Sequence, residues 1–488
     1  MKQALTLLLL VTLPSLVSAQ PKQHPQSIPL VFTHVKVIDA TGSPLQPDMT
    51  VVIVDARIME LGPTKRVRVP KKAQTVDATG KFLIPGLWDM HVHIFNQVSR
   101  RPPNAWYFPL FVANGVTGVR EMWTKPQDMN QVLEWRGQFA EGTFTLPRIA
   151  AVGTVVDGQP STWPNTDTVA TPQEAQRMVR KIKDAGVDFV KTYSNLSREA
   201  YFAIVDEARK QNIPFAGHVP FAVGADEASN AGQRSMEHLN QVLETCSRKE
   251  QELLRVPAKD WSIAYDKLMV DTYDESKCRK LFSLLAENHT WQVPTLIQKQ
   301  MHYFSGDLRD FTESPRLKYI PVDEQDRWKP YIARQKSLSE NEKNLRKKVW
   351  HAYLVLIEAM RHAGVEFIAG TDVGNEYIYP GFSLHDELAL LVKAGLSPME
   401  ALQAATSNPA KFLGVLDRLG TIEKGKLADL VLLEANPLEE ISNTQRISAV
   451  VINGRLLSKK SLDKMLADAE AKTVTRSEKR TPHANARQ

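Results

Sequence analysis

Residues 86–93 read Gly86-Leu87-Trp88-Asp89-Met90-His91-Val92-His93. A short apolar run ends there on two histidines one residue apart, and side chains at i and i+2 of a strand share a face. Both imidazoles then leave the strand's C-terminal end together, a geometry that suits one metal ion. Two buried, hydrogen-bonded histidines would satisfy the same spacing. Outward from this stretch, residues 86–414 alternate short apolar runs with helical patterns, the sequence form of βα units around a parallel sheet. Eight runs are found, near 86–93, 115–121, 148–156, 187–193, 213–218, 234–238, 291–297 and 365–372, with amphipathic patterns after most of them, as at 172–185 and 198–211. The fold class predicted is α/β: eight parallel strands close into a (β/α)8 TIM barrel whose catalytic residues sit at the strands' C-terminal ends.

The flanks read differently. Residues 30–85 alternate apolar and polar positions with Val and Ile enrichment, and 428–433 and 449–454 supply two more strands, so 30–85 plus 415–458 are expected to form a small β-sandwich from both chain ends. Between barrel strand seven and its helix, 298–346 is a lid-like insertion or a solvated helical excursion. The tail 461–488 begins as a surface helix at 461–472 and then turns polar, basic and disordered. At the start, Lys2, the apolar run 5–13 and Val17-Ser18-Ala19 make 1–19 a secretory signal peptide. Pro14 and Ser15 interrupt the run before the roughly 20 apolar residues that a membrane span needs. The mature chain is therefore expected to be exported, periplasmic or secreted, with no stable membrane anchor.

Composition narrows the classes further. Of 488 residues, 43% are hydrophobic and 24% charged, ordinary globular usage. Half of the net charge of +6 lies in the tail, where Arg476, Lys479, Arg480 and Arg487 face only Glu478, and Lys2 lies in the leader, so too little remains elsewhere to imply a nucleic-acid partner. Two cysteines, Cys246 and Cys278, permit one disulfide but no Cys-rich metal site, and their pairing is open. A homo-oligomer is compatible with everything so far.

Further chemistry-bearing residues each end a different predicted strand. His218 closes 213–218, His238 closes 234–238, Asp372 closes 367–372, and Lys191 lies in Val187-Asp188-Phe189-Val190-Lys191-Thr192-Tyr193. Four histidines and an aspartate would meet at one barrel mouth. A lysine ammonium, with a reference pKa of about 10.4, repels a divalent cation there. The neutral amine can instead add carbon dioxide, drawn from bicarbonate, and release a proton to give an anionic carbamate, able to bridge two metals roughly 3.5–4 Å apart.

With these motifs, together with Gly115-Val116-Thr117-Gly118-Val119-Arg120, Gly370-Thr371-Asp372, Thr406-Ser407-Asn408-Pro409-Ala410-Lys411 and residues 420–430, the chain resembles the amidohydrolase superfamily of metal-dependent hydrolases over about 30–458. It looks most like exported Xaa-Pro dipeptidases and the imidazolonepropionase-like branch. The resemblance implies two divalent metal ions, most simply zinc. His91, His93 and Asp372 would hold one, His218 and His238 the other, with carbamylated Lys191 bridging. It also implies that Asp372 accepts a proton from the attacking water and returns it to the departing amine. Manganese, cobalt or iron would suit the same donors.

Departures from the family pattern refine this expectation. His218 is followed by Val219-Pro220-Phe221 without the carboxylate that ring deaminases carry, so deamination is disfavoured. The expected substrate is a small amide, a dipeptide or N-acyl amino acid; a lactone or other non-peptide carbonyl, or a catalytically idle ligand-binding member, are the alternatives. Tyr193 is a candidate for the substrate carboxylate or developing oxyanion, or simply packs. Arg120 is a candidate for a substrate carboxylate, or forms a structural ion pair with Asp89 or Glu121.

Overall fold

The computed structural model describes residues 28–95, 103–161, 163–256, 263–304 and 307–478. The expected signal peptide and the last ten residues of the tail lie outside the described residues. Seven parallel strands run in order: Leu87–Val92, Val116–Glu121, Arg148–Asp157, Phe189–Thr192, Phe215–Gly217, Ser235–Glu237 and Trp291–Val293. These strands are buried almost throughout because both faces are covered, by barrel interior on one side and helices on the other. Helices Pro172–Asp184 and Arg198–Lys210 start where Thr171 and Ser197 accept backbone N–H bonds at the N-cap.

The eighth predicted strand is not regular. Residues 367–373 close the barrel through isolated bridges, Gln292 with Phe367 and Val92 with Val373. Met90 N–H donates to Ala369 O at 3.0 Å and Asp372 N–H to His91 O at 2.8 Å. Regular pairing fails because Asp372 holds φ at 62° and because Gly370 lies so close to the first strand that a Cβ there would come within 2.8 Å of His91 Cβ. Strand seven also ends earlier than predicted, since Pro294 and Thr295 (φ 45°) turn the chain into a helix at Leu296–His302.

The two chain ends build one mixed sheet in the order Arg455–Ser458, Ile447–Ile452, Leu430–Leu433, Phe82–Pro85, Leu30–Val37, Gln46–Val54, Arg57–Pro63, with Gln74–Asp77 pairing off Leu30–Val37. Its alternation has a purpose. Leu430 and Leu432 join Phe32, Val51 and Val451 in a core of the sheet's own, whereas Val431 and Leu433 face the opposite way into the barrel's core.

The insertion is helical rather than loop-like: Leu296–His302, Arg309–Thr312, Val322–Lys336 and the start of Glu340–His362. The tail helix is longer than its polarity suggested, Lys459–Glu478, because Leu462 is buried and Thr473 Oγ1 donates to Lys318 O at 3.0 Å. Among the described residues no helix is long and apolar enough to cross a membrane.

Cys246 and Cys278 form a disulfide that closes 32 residues and ties the segment after strand six to helix Glu275–Glu287. Loop-closure entropy for that length is about 3–4 kcal/mol. Cys278→Ser is therefore expected to destabilise this region by about that amount, read as a lower urea midpoint that matches wild type under reducing conditions; identical midpoints under oxidising conditions would contradict it.

Candidate metal centre and active-site cavity

His91, His238 and Asp372 offer ligand atoms that all lie within 4.8 Å of one another, and all three are buried. Asp372 is the hub. Its Oδ1 is 2.8 Å from His93 Nε2 and 3.3 Å from His91 Nε2, and its Oδ2 is 3.9 Å from His238 Nδ1. His218 joins through His238, their rings 4.8 Å apart, and Lys191 Nζ is 3.2 Å from His91 Nε2. The six residues singled out from the strand ends thus come together at one mouth. His238 and Asp372 hold φ at 61° and 62°, conformations unusual for residues with a side chain and typical of sites where geometry is fixed for function.

Burial sets the electrostatics. It drives His91, His218 and His238 well below the usual imidazole range, helped by the nearby Lys191 charge, and lowers His93 as well. Burial also lowers Lys191 to about 8. Burial alone would raise Asp372, but His238 and the hydrogen bond from His93 outweigh it and hold the carboxyl below its usual value. The result is a cluster of neutral rings around one carboxylate.

This donor set fits a metal ion. His91 Nδ1 sits 2.8 Å from the Glu237 carboxylate, an acceptor, so the ring proton belongs there and Nε2 presents a lone pair. That nitrogen lies 3.3 Å from Asp372 Oδ1 and 3.2 Å from Lys191 Nζ, so two acceptors converge where a cation can sit. His93 Nδ1 is buried without a hydrogen-bond partner. Ser194 Oγ, 2.7 Å from His218 Nδ1, and Thr295 Oγ1, 2.6 Å from His238 Nδ1, orient the other two rings.

Beneath the triad lies a support that strand-end reasoning did not reveal. Glu237 receives both carboxylate bonds from Arg120 Nη2 at 2.9 Å, while Arg120 also donates to Ser235 Oγ and Met90 O. Arg120 is 1% exposed and does not line the cavity. Its placement turns the substrate-carboxylate expectation into a structural one and corrects the partner: the buried guanidinium pairs with Glu237 rather than with Asp89 or Glu121. Asp89 instead accepts from Thr371 and His91 N–H, and Glu121 from Ile94 N–H and Trp123 N–H; burial raises them to about 7 and about 8. Glu237→Gln is expected to weaken metal affinity by about 10–100-fold, measured by competition with a chromogenic chelator; unchanged affinity would mean that Glu237 does not set the His91 tautomer.

Above the triad opens a cavity of about 530 Å³. Tyr193 stacks on His218 at 4.0 Å, and its hydroxyl accepts from Trp163 Nε1 at 2.8 Å. Trp123 and Tyr193 flank the Lys191 amine at 5.7 and 5.6 Å. The insertion contributes Lys299, His302, Tyr303, Arg327 and Arg346 to the far wall.

Residues 335–457 match the amidohydrolase family model. Among solved structures, a bottromycin amidohydrolase superposes with a TM-score of 0.71 at 24% identity, covering 92% of this chain and 91% of that one. The chain has the amidohydrolase fold. A Xaa-Pro dipeptidase with methionine bound in its active site superposes with a TM-score of 0.62 at 20% identity, over 88% of this chain and all of that one. In sequence, ochratoxinase of Aspergillus niger is 22% identical over 85% of this chain and 83% of its own length. Within that fold this chain carries a buried His/His/Asp triad that could hold a metal ion.

Proposed function

We propose that this protein is an exported member of the amidohydrolase superfamily that hydrolyses an amide C–N bond in a small substrate, a dipeptide or N-acyl amino acid, with two divalent metal ions, zinc in the simplest case. The observation that carries this reading is the convergence of His91, His238 and Asp372, with Lys191, His93 and His218 within reach of them. Divalent ions held there would supply a polarised carbonyl and a water whose pKa is brought near 7. His91, His93 and Asp372 would hold one ion and His218 and His238 the other.

The chain's own groups do the rest. Lys191 sits in an aromatic sleeve where burial lowers its amine to about 8, which enlarges the neutral fraction that reacts with carbon dioxide. Its carbamate would supply the bridging oxygens. Asp372, held ionised by its histidine neighbours, takes the proton of the attacking water and passes it to the leaving nitrogen. The Tyr193 hydroxyl, fixed by Trp163, is placed to donate to the developing oxyanion. Low-identity similarity to a dipeptidase and to other amide hydrolases supports the substrate class, and the Cys246–Cys278 bond supports an oxidising compartment. Residues 30–85 plus 415–458 are proposed as the sheet domain, 86–414 as the barrel, and 298–346 as a lid over the cavity.

The test is a panel of dipeptides, N-acyl amino acids and lactones assayed with protein reconstituted in zinc and bicarbonate. Turnover of amides is the expected result. Turnover of lactones alone would replace the amide reading, and silence on every class from a metal-replete sample would leave a ligand-binding protein.

A further inference from the structure

The far wall of the active-site cavity carries two cations and two anions that are not paired with one another. Lys299 comes from helix Leu296–His302, Arg346 from Glu340–His362, Glu244 from Val242–Thr245 and Asp266 from Ile263–Asp271, and all four line the same cavity. Among the described residues none of them lies within ion-pair distance of an opposite charge. Their polar contacts are weaker ones. Lys299 Nζ donates to Tyr353 OH at 3.3 Å and lies 4.5 Å from that ring's centre; Glu244 Oε1 accepts from Tyr265 OH at 3.2 Å; Arg346 donates to His302 O and Gln335 Oε1. Glu244 Oε2 is buried with no partner at all.

Opposite charges inside a protein ordinarily collapse onto one another, because each unpaired charge bears its desolvation alone. Here they sit on four separate helices, two of which are anchored at the cavity. The Lys299 helix is fixed at its start by Glu387, which accepts from Leu296 N–H at 2.9 Å and Ile297 N–H at 2.7 Å, and by Thr295, which contacts His238. The Glu244 helix directly precedes Cys246 and is tied down by the disulfide to Cys278. Burial lowers Lys299 to about 8 against the pull of Glu244 and Asp266, and raises Asp266 to about 6 against that of Arg346 and Lys299. Lys299 is also near enough for its charge to be felt at His218, which places the quartet alongside the proposed reacting centre.

Resting on the amide-hydrolase reading above, we propose that this quartet is a zwitterion-recognition site and that the substrate is a free dipeptide, its carboxylate taken by Lys299 and Arg346 and its ammonium by Glu244 and Asp266. N-acylated amino acids, which lack the ammonium, would leave Glu244 and Asp266 unanswered. The lining tyrosines, Tyr265 and Tyr353 among them, give the substrate's side chains an aromatic surface.

Binding tests this separately from turnover. The probe is a ketomethylene isostere of alanyl-phenylalanine, which keeps both termini and has no C–N bond to cleave, measured by calorimetry on the purified full chain beside its N-acetyl and C-amide forms. Each cap is expected to raise Kd about tenfold or more, the loss of one charged hydrogen-bonding partner. Lys299→Met should abolish discrimination against the C-amide and Glu244→Gln discrimination against the N-acetyl form, while Lys299→Arg and Glu244→Asp, which keep the charges, preserve both. Equal binding of capped and uncapped probes, or discrimination that survives in Lys299→Met and Glu244→Gln, would overturn the proposal. Discriminating binding without turnover of any amide would overturn the hydrolase reading and leave the recognition site standing.

Discussion

Asp372→Asn is expected to lower kcat by about 10²–10⁴-fold with little change in KM. The amide has nearly the carboxylate's shape and can still meet His93, so the site should remain assembled. What it cannot do is accept a proton from water and deliver it to nitrogen. Its neutrality also removes the charge that faces His91, His93 and His238 together, so metal content must be measured beside the rate and restored with excess zinc before comparison. Unchanged kcat in a metal-replete Asp372→Asn sample would remove the proton-transfer role and move it to another group of the cavity.

Lys191→Ala should cost still more, about a thousandfold or beyond in kcat/KM, because it removes the group proposed to link the two halves of the site. Added acetate or propionate is expected to recover part of the rate by occupying the space the side chain leaves beside Trp123 and Tyr193. Stability separates this from simple damage. In the metal-free chain Lys191 is a buried amine whose one hydrogen-bond partner among the described residues is His91 Nε2, so there the folded state gains little from its charge and loses mainly the packing of its stem. The melting temperature should move by no more than a few degrees while activity collapses. A large drop in melting temperature with unrescued activity would mark Lys191 as structural.

How far the sequence carried these conclusions differs from residue to residue. His91, His218 and His238 were legible because each lies at the end of a different predicted strand, and strand ends share one rim in a closed parallel barrel. Asp372 was legible by the same logic, although its strand dissolves into bridges where Gly370 and a left-handed Asp372 disturb the ladder. Arg120 and Glu237 were not, for their bond spans 117 residues, and which buried charge meets which is decided by barrel closure rather than by any local pattern. Arg120 has polar neighbours at 89 and 121 that look like partners in sequence, yet both are committed to backbone N–H groups and Thr371. The far wall escaped for a related reason. Glu244, Asp266, Lys299 and Arg346 sit on separate helices with no shared spacing, and only packing places them around one cavity.

Metal analysis of the purified chain tests the central claim most directly. Elemental quantification after dialysis, with His91→Ala, His238→Ala and Asp372→Asn run in parallel, is predicted to give two divalent ions per wild-type chain and a marked loss in each variant. A wild-type chain that retains no divalent ion after reconstitution with zinc and bicarbonate, or variants that bind as many ions as wild type, would contradict the account.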